Sequence, residues 1–166
     1  MTWPLIITSG SPDATKAVAA RLAPLCRSGD VVLLIGELGA GKTAFAQGFA
    51  AALGVTGPVT SPTFALVRQY QCGPASAVET LIHADVYRTT SLPEVVDLAL
   101  AELVEDRAVA VVEWGDLAAP ALGESALEVT LTVPNSPDGP VDVRTISLHG
   151  RGRWADRSED VAAALP

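Results

Sequence analysis

"GELGAGKT", Gly36–Thr43, stands between the apolar run "VVLLI" at 31–35 and the helix-like "AFAQGFAAAL" at 44–53. Gly36, Gly41, Lys42 and Thr43 fit the pattern G-x-x-x-x-G-K-S/T, and Gly39 adds a further glycine inside it. A strand before and a helix after are the context that pattern requires. Glycines let successive backbone N–H groups turn toward an anion with no Cβ in the way. A helix that begins at Lys42 aims the positive end of its dipole at the same place. The backbone of Gly36, Glu37, Leu38, Gly39, Ala40 and Gly41 is therefore expected to cradle phosphate. Lys42 is expected to reach the β- and γ-phosphates, and the Thr43 hydroxyl to ligate Mg²⁺. The chain carries nine arginines and only two lysines, Lys16 and Lys42. A sequence that otherwise uses Arg keeps Lys where a compact point charge is wanted. The bland competing reading is a glycine turn that merely caps a helix.

Outward from the loop, the chain alternates helix and strand. "SPDATKAVAARLAPL" opens with Ser11 as N-cap and Pro12 at the first helical position. Its Ala14, Val18, Leu22 and Leu25 recur at helical spacing. "VVLLI" reads as a strand buried on both faces. The helix after the loop is expected to end near Gly54. "TFALVRQY" and "ETLIHADVYR" read as strands joined by "QCGPASA". Ser91 and Glu94 form a capping-box signature for a helix through about Asp106. "AVAVVE" is another buried strand. "LEVTLTV", with Leu127, Val129, Leu131 and Val133 inward, returns through "PNSPDGP" into "VDVRTISL" as a closing hairpin. The expected fold is α/β: a P-loop NTPase-like three-layer sandwich with a mainly parallel central sheet and a C-terminal β-hairpin. Residues 1–150 form the single domain, and 151–166 a tail that is either frayed or a short docked helix.

Hydrolysis needs carboxylates as well as a phosphate cradle. Glu113 ends "AVAVVE" and Asp85 ends "TLIHAD", both at strand tips where the crevice of an open α/β sheet lies. Helix capping or surface charge is the alternative for each. His83 alternates with Asp85 and so faces the same side, either to orient it or as a satisfied core histidine. Arg88 is a phosphate or carboxylate partner, or a structural ion pair. "TSPTF" at 60–64 is a hydroxyl-rich loop in a position that senses the γ-phosphate in nucleotide switches. Ser61 and Thr63 are its candidate ligands for metal-bound water, with an ordinary turn as the alternative. Alternation points Trp114 away from Glu113, or stacks it at the sheet edge.

The bulk composition narrows the partners. The formal net charge is −8, with acids crowded into the second half. Counterion release needs Lys and Arg on one face, so the chain alone is expected to grip nucleic acid poorly. The acidic surface serves solubility or docks a basic partner. No apolar run approaches a membrane span of about 18 residues. The start, "MTWPLIITSG", lacks a basic n-region and h-region, so a cytoplasmic location is expected. Cys26 and Cys72 have no metal-ligand spacing and read as small fillers. The N-K-x-D and D-x-x-G segments of guanine-reading hydrolases are absent, which favours ATP. Little chain remains for the lid and acceptor domain of a small-molecule kinase.

"GELGAGKT", "SPTF", "HADVYR" and "VVEW", in this order and spacing, resemble the bacterial tRNA threonylcarbamoyladenosine biosynthesis ATPase family, TsaE, over about residues 5–149. The resemblance implies a small cytosolic ATPase that works with the TsaD and TsaB proteins on the adenosine beside the tRNA anticodon, touching tRNA only indirectly. It implies ATP and Mg²⁺ as ligands, with Lys42 on phosphate and Thr43 and Glu113 on the metal. Asp85 would assist hydrolysis, as a metal ligand or by positioning water, and Trp114 would matter for activity. Ser11 to Thr15 resembles, weakly, the family's stretch near the adenine, which makes Ser11 and Thr15 candidate contacts. Glu37 departs from the usual Asp, and Gly115-Asp116 from the usual Pro and acid. Two other classes stay open: a self-sufficient kinase, and a nucleotide-gated interaction module with negligible turnover.

Overall fold

Val31–Ile35 offers no polar face to water, and it forms β2, a strand with neighbours on both sides. The computed structural model describes residues 2–62, 66–87, 93, 99–135 and 138–166. Along the chain β1 (Leu5–Ser9) and α1 (Pro12–Leu22) precede β2, and α2 (Lys42–Ala52) follows it. Then come β3 (Val67–Gln71), β4 (Thr80–Asp85), α3 (Leu100–Val104), β5 (Ala108–Glu113) and α4 (Gly115–Leu122). β6 (Ala126–Thr132), β7 (Arg144–Arg151), a 3-10 turn (Gly152–Arg157) and α5 (Ser158–Ala164) complete it.

The strands form one mixed sheet in the order β1-β7-β6-β2-β5-β4-β3. β6, β2, β5 and β4 run parallel, so their carboxyl ends share one edge of the molecule. β3 is antiparallel on β4, and β7 lies antiparallel between β6 and β1. Strand alternation divides the interior into two cores. Val32 and Leu34 pack with Val18 and Leu22 of α1 and with Phe45 and Phe49 of α2. Val31 and Leu33 pack on the opposite face with Leu100 and Val104 of α3 and Ala118 of α4. Helices thus cover both faces, and β5 is buried at all six positions. Each fully buried Phe or Leu contributes about 1.5–3 kcal/mol.

Ser11 caps α1, its side chain accepting the Ala14 N–H at 3.0 Å with Pro12 in the first turn. α2 ends at Ala52, and Gly54 follows with φ +77°. Three features differ from expectation. "LIITS", to which no element is assigned from the sequence, is the edge strand β1, paired from Leu5↔Leu148 to Ser9↔Arg144. β7 therefore does not close the sheet. Val133 lies past the end of β6 and is 37 % exposed, unlike the buried Leu127, Val129 and Leu131. A short helix, α4, follows β5 despite Pro120 inside it. Thr63, Phe64, Arg88, and Ser91 and Glu94 of the capping box lie outside the described residues. The helix anticipated there is described over α3, which ends at Val104.

The last residues dock on the first core. Trp154 and Val161 are fully buried against it. Arg157 lies 4.4 Å from the Trp154 ring centroid and donates to both carboxylate oxygens of the buried Asp30, at 2.7 and 3.3 Å.

Candidate active site

Gly39 and Gly41 adopt φ of +80° and +105°, values that an L side chain strains against, so two glycines here are conformational requirements. At Gly36 space is short as well: a Cβ there would sit 2.6 Å from the Leu131 carbonyl oxygen. The Ala40 N–H closes a turn onto the Glu37 carbonyl at 3.0 Å, leaving Leu38 at the exposed tip. α2 starts directly at Lys42, with no acid in its first turn to neutralise its N-terminal dipole.

Lys42 is buried. Its ammonium donates to the Gly36 and Glu37 carbonyls at 2.7 and 2.8 Å and lies 4.1 Å from the Trp114 ring centroid. Burial holds its pKa below the usual lysine range, and the charges of Glu113, Asp85 and Asp116 oppose that shift. The carbonyls and the indole face replace the ammonium's lost water.

β4 and β5 deliver the two acids side by side, Asp85 opposite Glu113 at the carboxyl ends of parallel strands. Glu113 accepts from the Thr43 hydroxyl, whose oxygen lies 3.2 and 3.3 Å from the two carboxylate oxygens. Asp85 accepts from the Ser61 hydroxyl at 2.8 Å and from the Tyr87 backbone N–H at 2.9 Å. Alternation places His83 with Asp85, but its bond goes to Glu113: Nε2 lies 2.9 Å from Oε1. His83 sits level with Val111, two residues back from Glu113, and the longer glutamate reaches back to it. Among the described residues, the buried Nδ1 of His83 has no hydrogen-bond partner.

These groups wall a cleft of about 400 Å³. Leu38, Gly39, Gly41, Lys42, Thr43 and Ala44 of the loop and α2 line it, together with Ser61, Asp85, Tyr87, Glu113 and Trp114. Trp114 shares the acids' cleft, where alternation would point it away from Glu113. The strand ends at Glu113, and Trp114 turns left-handed at φ +59°, so alternation no longer applies to it. Leu66, also at φ +59°, takes the Asp85 N–H at 2.8 Å. Such backbone outliers cost about 1–3 kcal/mol each and cluster at functional sites.

Gly36, Glu37 and Ala40 shape the loop without lining this cleft. Ser11 and Thr15 do not line it either. Ser11 is occupied as the α1 cap, and the Thr15 hydroxyl is buried 2.7 Å from that of Ser9. α1 still begins beside the loop, since the Thr15 methyl lies 3.9 Å from the place a Gly41 Cβ would take. Tyr87 is a wall residue that the sequence reading gives no role. It is 51 % exposed, with its ring centroid 4.7 Å from that of Trp114. Its signal was its place two residues past Asp85 in "HADVYR". Among the described residues no group of three or more His, Cys, Asp and Glu forms a metal cage, and no helix is long and apolar enough to cross a membrane.

The family described as "Threonylcarbamoyl adenosine biosynthesis protein TsaE" matches residues 9–138. A Streptomyces coelicolor protein named tRNA threonylcarbamoyladenosine biosynthesis protein TsaE is 40% identical over 155 residues, covering 89% of this chain and 99% of the relative. The Bacillus subtilis protein of the same name is 41% identical over 121 residues, covering 73% of each. The crystal structure of Bacillus subtilis YdiB superposes with a TM-score of 0.76 at 30% identity, covering 98% of this chain and 97% of that one. The matched span contains the loop, Ser61, both acids and Trp114. With that coverage and this cleft, the chain belongs to the TsaE family.

Proposed function

We propose that this chain is a Mg²⁺-dependent ATP hydrolase of P-loop NTPase-like fold that supports threonylcarbamoyladenosine modification of tRNA, acting with TsaD- and TsaB-type proteins. The relatives' name supplies the pathway. The carrying observation is that Lys42 and Thr43, Asp85, and Glu113, from three separate stretches of the sequence, wall one cleft at the head of α2. Loop N–H groups and the helix terminus would hold the substrate's phosphates, with Lys42 supplying the positive charge.

Thr43 and Glu113 converge as hard oxygen donors, with Asp85 in register beside them. That set fits Mg²⁺, which takes one or two carboxylates and completes its shell with water and phosphate, so no protein cage is needed. When bound, the metal would neutralise charge developing on the phosphates. Thr43 and Glu113 would hold it, His83 would keep the Glu113 carboxylate oriented, and Asp85 would accept from a water or join the metal's shell. Tyr87 and Trp114 would shield the site from bulk water.

In a phosphate-release assay, Glu113→Ala and Asp85→Ala should fold and lose at least about tenfold in hydrolysis, or 1.4 kcal/mol of barrier. Glu113→Ala should also need more Mg²⁺. Parent-like rates in both variants would sink the catalytic reading. Adding the TsaD–TsaB pair should change the parent's rate, and bound nucleotide should change affinity for the pair, since linkage is reciprocal. Phosphate appearing on an acceptor instead of in solution would mark a kinase.

A further inference from the structure

The β6–β7 connection returns to the phosphate loop at Arg144, the first residue of β7, beyond the span that the family match covers. Its guanidinium donates to four backbone carbonyls. Nε reaches Ala40 O at 3.1 Å and one Nη reaches Gly39 O at 3.2 Å. The other Nη reaches Val141 O at 2.7 Å and Val143 O at 2.9 Å. Two of these carbonyls belong to the phosphate loop, and Arg144 is not among the walls of the cleft. It therefore grips the loop from outside.

We propose that Arg144 is a positioning residue for phosphate binding, setting the peptide planes of the loop from behind. This rests on the nucleotide-binding reading above. In a planar trans peptide, C=O and N–H point opposite ways. Holding the Ala40 carbonyl toward Arg144 turns the Gly41 N–H to the opposite side, and Gly41 lines the cleft. Holding the Gly39 carbonyl likewise turns the Ala40 N–H away, to its bond with Glu37 O. That bond closes the turn at the loop's tip. A cation on the carbonyl end also polarises each peptide, which makes its N–H a stronger donor.

The loop needs such a clamp. A Cβ placed on Gly39 would meet nothing within 4 Å, so packing does not hold that residue in place. Glycines lose more conformational freedom on ordering than other residues. A planar guanidinium with five donors serves these four carbonyls at once, whereas a lysine has only three donors. Arg144 is itself anchored, since its backbone pairs with Ser9 at the end of β1.

The test uses the full chain as parent, Arg144→Ala and Arg144→Lys. Calorimetry would measure affinity for ATP and for inorganic tripolyphosphate, which touches only the phosphate cradle. Amide hydrogen exchange would follow residues 36–43 against β5. Arg144→Ala should lose at least about tenfold in affinity for both ligands. Exchange should quicken in the loop and not in β5, and millimolar guanidinium should restore affinity in this variant alone. Arg144→Lys, which keeps charge but not the fork, should lose affinity in the same direction. It carries the test if Arg144→Ala does not fold. Affinities within about twofold of the parent in a folded variant overturn the proposal. So does a loss accompanied by faster exchange throughout and no guanidinium rescue, which is general destabilisation. A parent that binds neither ATP nor tripolyphosphate overturns the nucleotide reading itself, and shows before any variant is compared.

Discussion

Lys42 reaches its cleft with two carbonyls and an indole face already around its ammonium. Lys42→Ala should weaken ATP binding by about 2–4 kcal/mol, since hydrogen bonds to charged groups are worth roughly 1.5–3 kcal/mol each. Calorimetry on a variant with parent-like circular dichroism checks this, and unchanged affinity rejects the phosphate loop. Cys26 gives a pH-dependent outcome of known sign. Burial pushes its thiol pKa well up, the Asp30 charge adds to that, and Arg157 opposes it. The unfolded thiol titrates near about 8.5, so above that pH the native chain holds a proton that the unfolded one has lost. Stability from Cys26 is thus complete below that pH and is lost as pH rises, at no more than about 1.4 kcal/mol per unit. Urea midpoints between about pH 7 and 10 should fall less steeply for Cys26→Ala than for the parent. Equal slopes would show that Cys26 does not contribute.

Between elements, the glycine with least room among those described is Gly48 of α2, against α1. A Cβ on Gly48 would lie 2.3 Å from the Lys16 carbonyl oxygen and 2.5 Å from its Cα. In an exposed helix Gly→Ala gains about 1 kcal/mol. Here the obstacle is backbone, which cannot swing aside, and overpacking costs typically about 1–3 kcal/mol. Gly48→Ala should therefore lower the melting temperature, by about 2–4 °C for each net kcal/mol. A rise in melting temperature would mean that the helices separate freely. α1 itself was legible, because Ser11 and Pro12 act on their immediate neighbours. β1 was not, because its five residues become a strand only through β7, near the other end of the chain.

Across the whole molecule, the tail pins the start of β2. Asp30 is buried against Arg157, with the Arg27 N–H as a further donor at 2.8 Å. Removing one partner of a buried pair strands the other, at a cost of about 3–5 kcal/mol. Arg157→Ala should show that loss in urea unfolding, and Asp30→Ala in the same chain should recover part of it. A cost under about 1 kcal/mol would make the tail a passive cover. Net charge acts at this scale too. With −8 overall and no basic stripe in the sequence, the isolated chain should bind tRNA more weakly than about micromolar at physiological salt. A gel shift at lower protein concentration would revive direct contact with RNA.

What the sequence alone determined is local. The glycine loop and its lysine, the cap of α1, the buried runs of β2 and β5, and the acids at two strand tips all follow from spacing and neighbours. Tertiary structure decided which groups meet. It gave His83 to Glu113 and Asp85 to Ser61, brought Trp114 over Lys42, and set Arg144 behind the glycine loop. Local preferences act over a few residues, through sterics, caps and periodicity. Partners far apart in the chain are chosen by burial and by hydrogen bonds that exist only once the sheet has assembled.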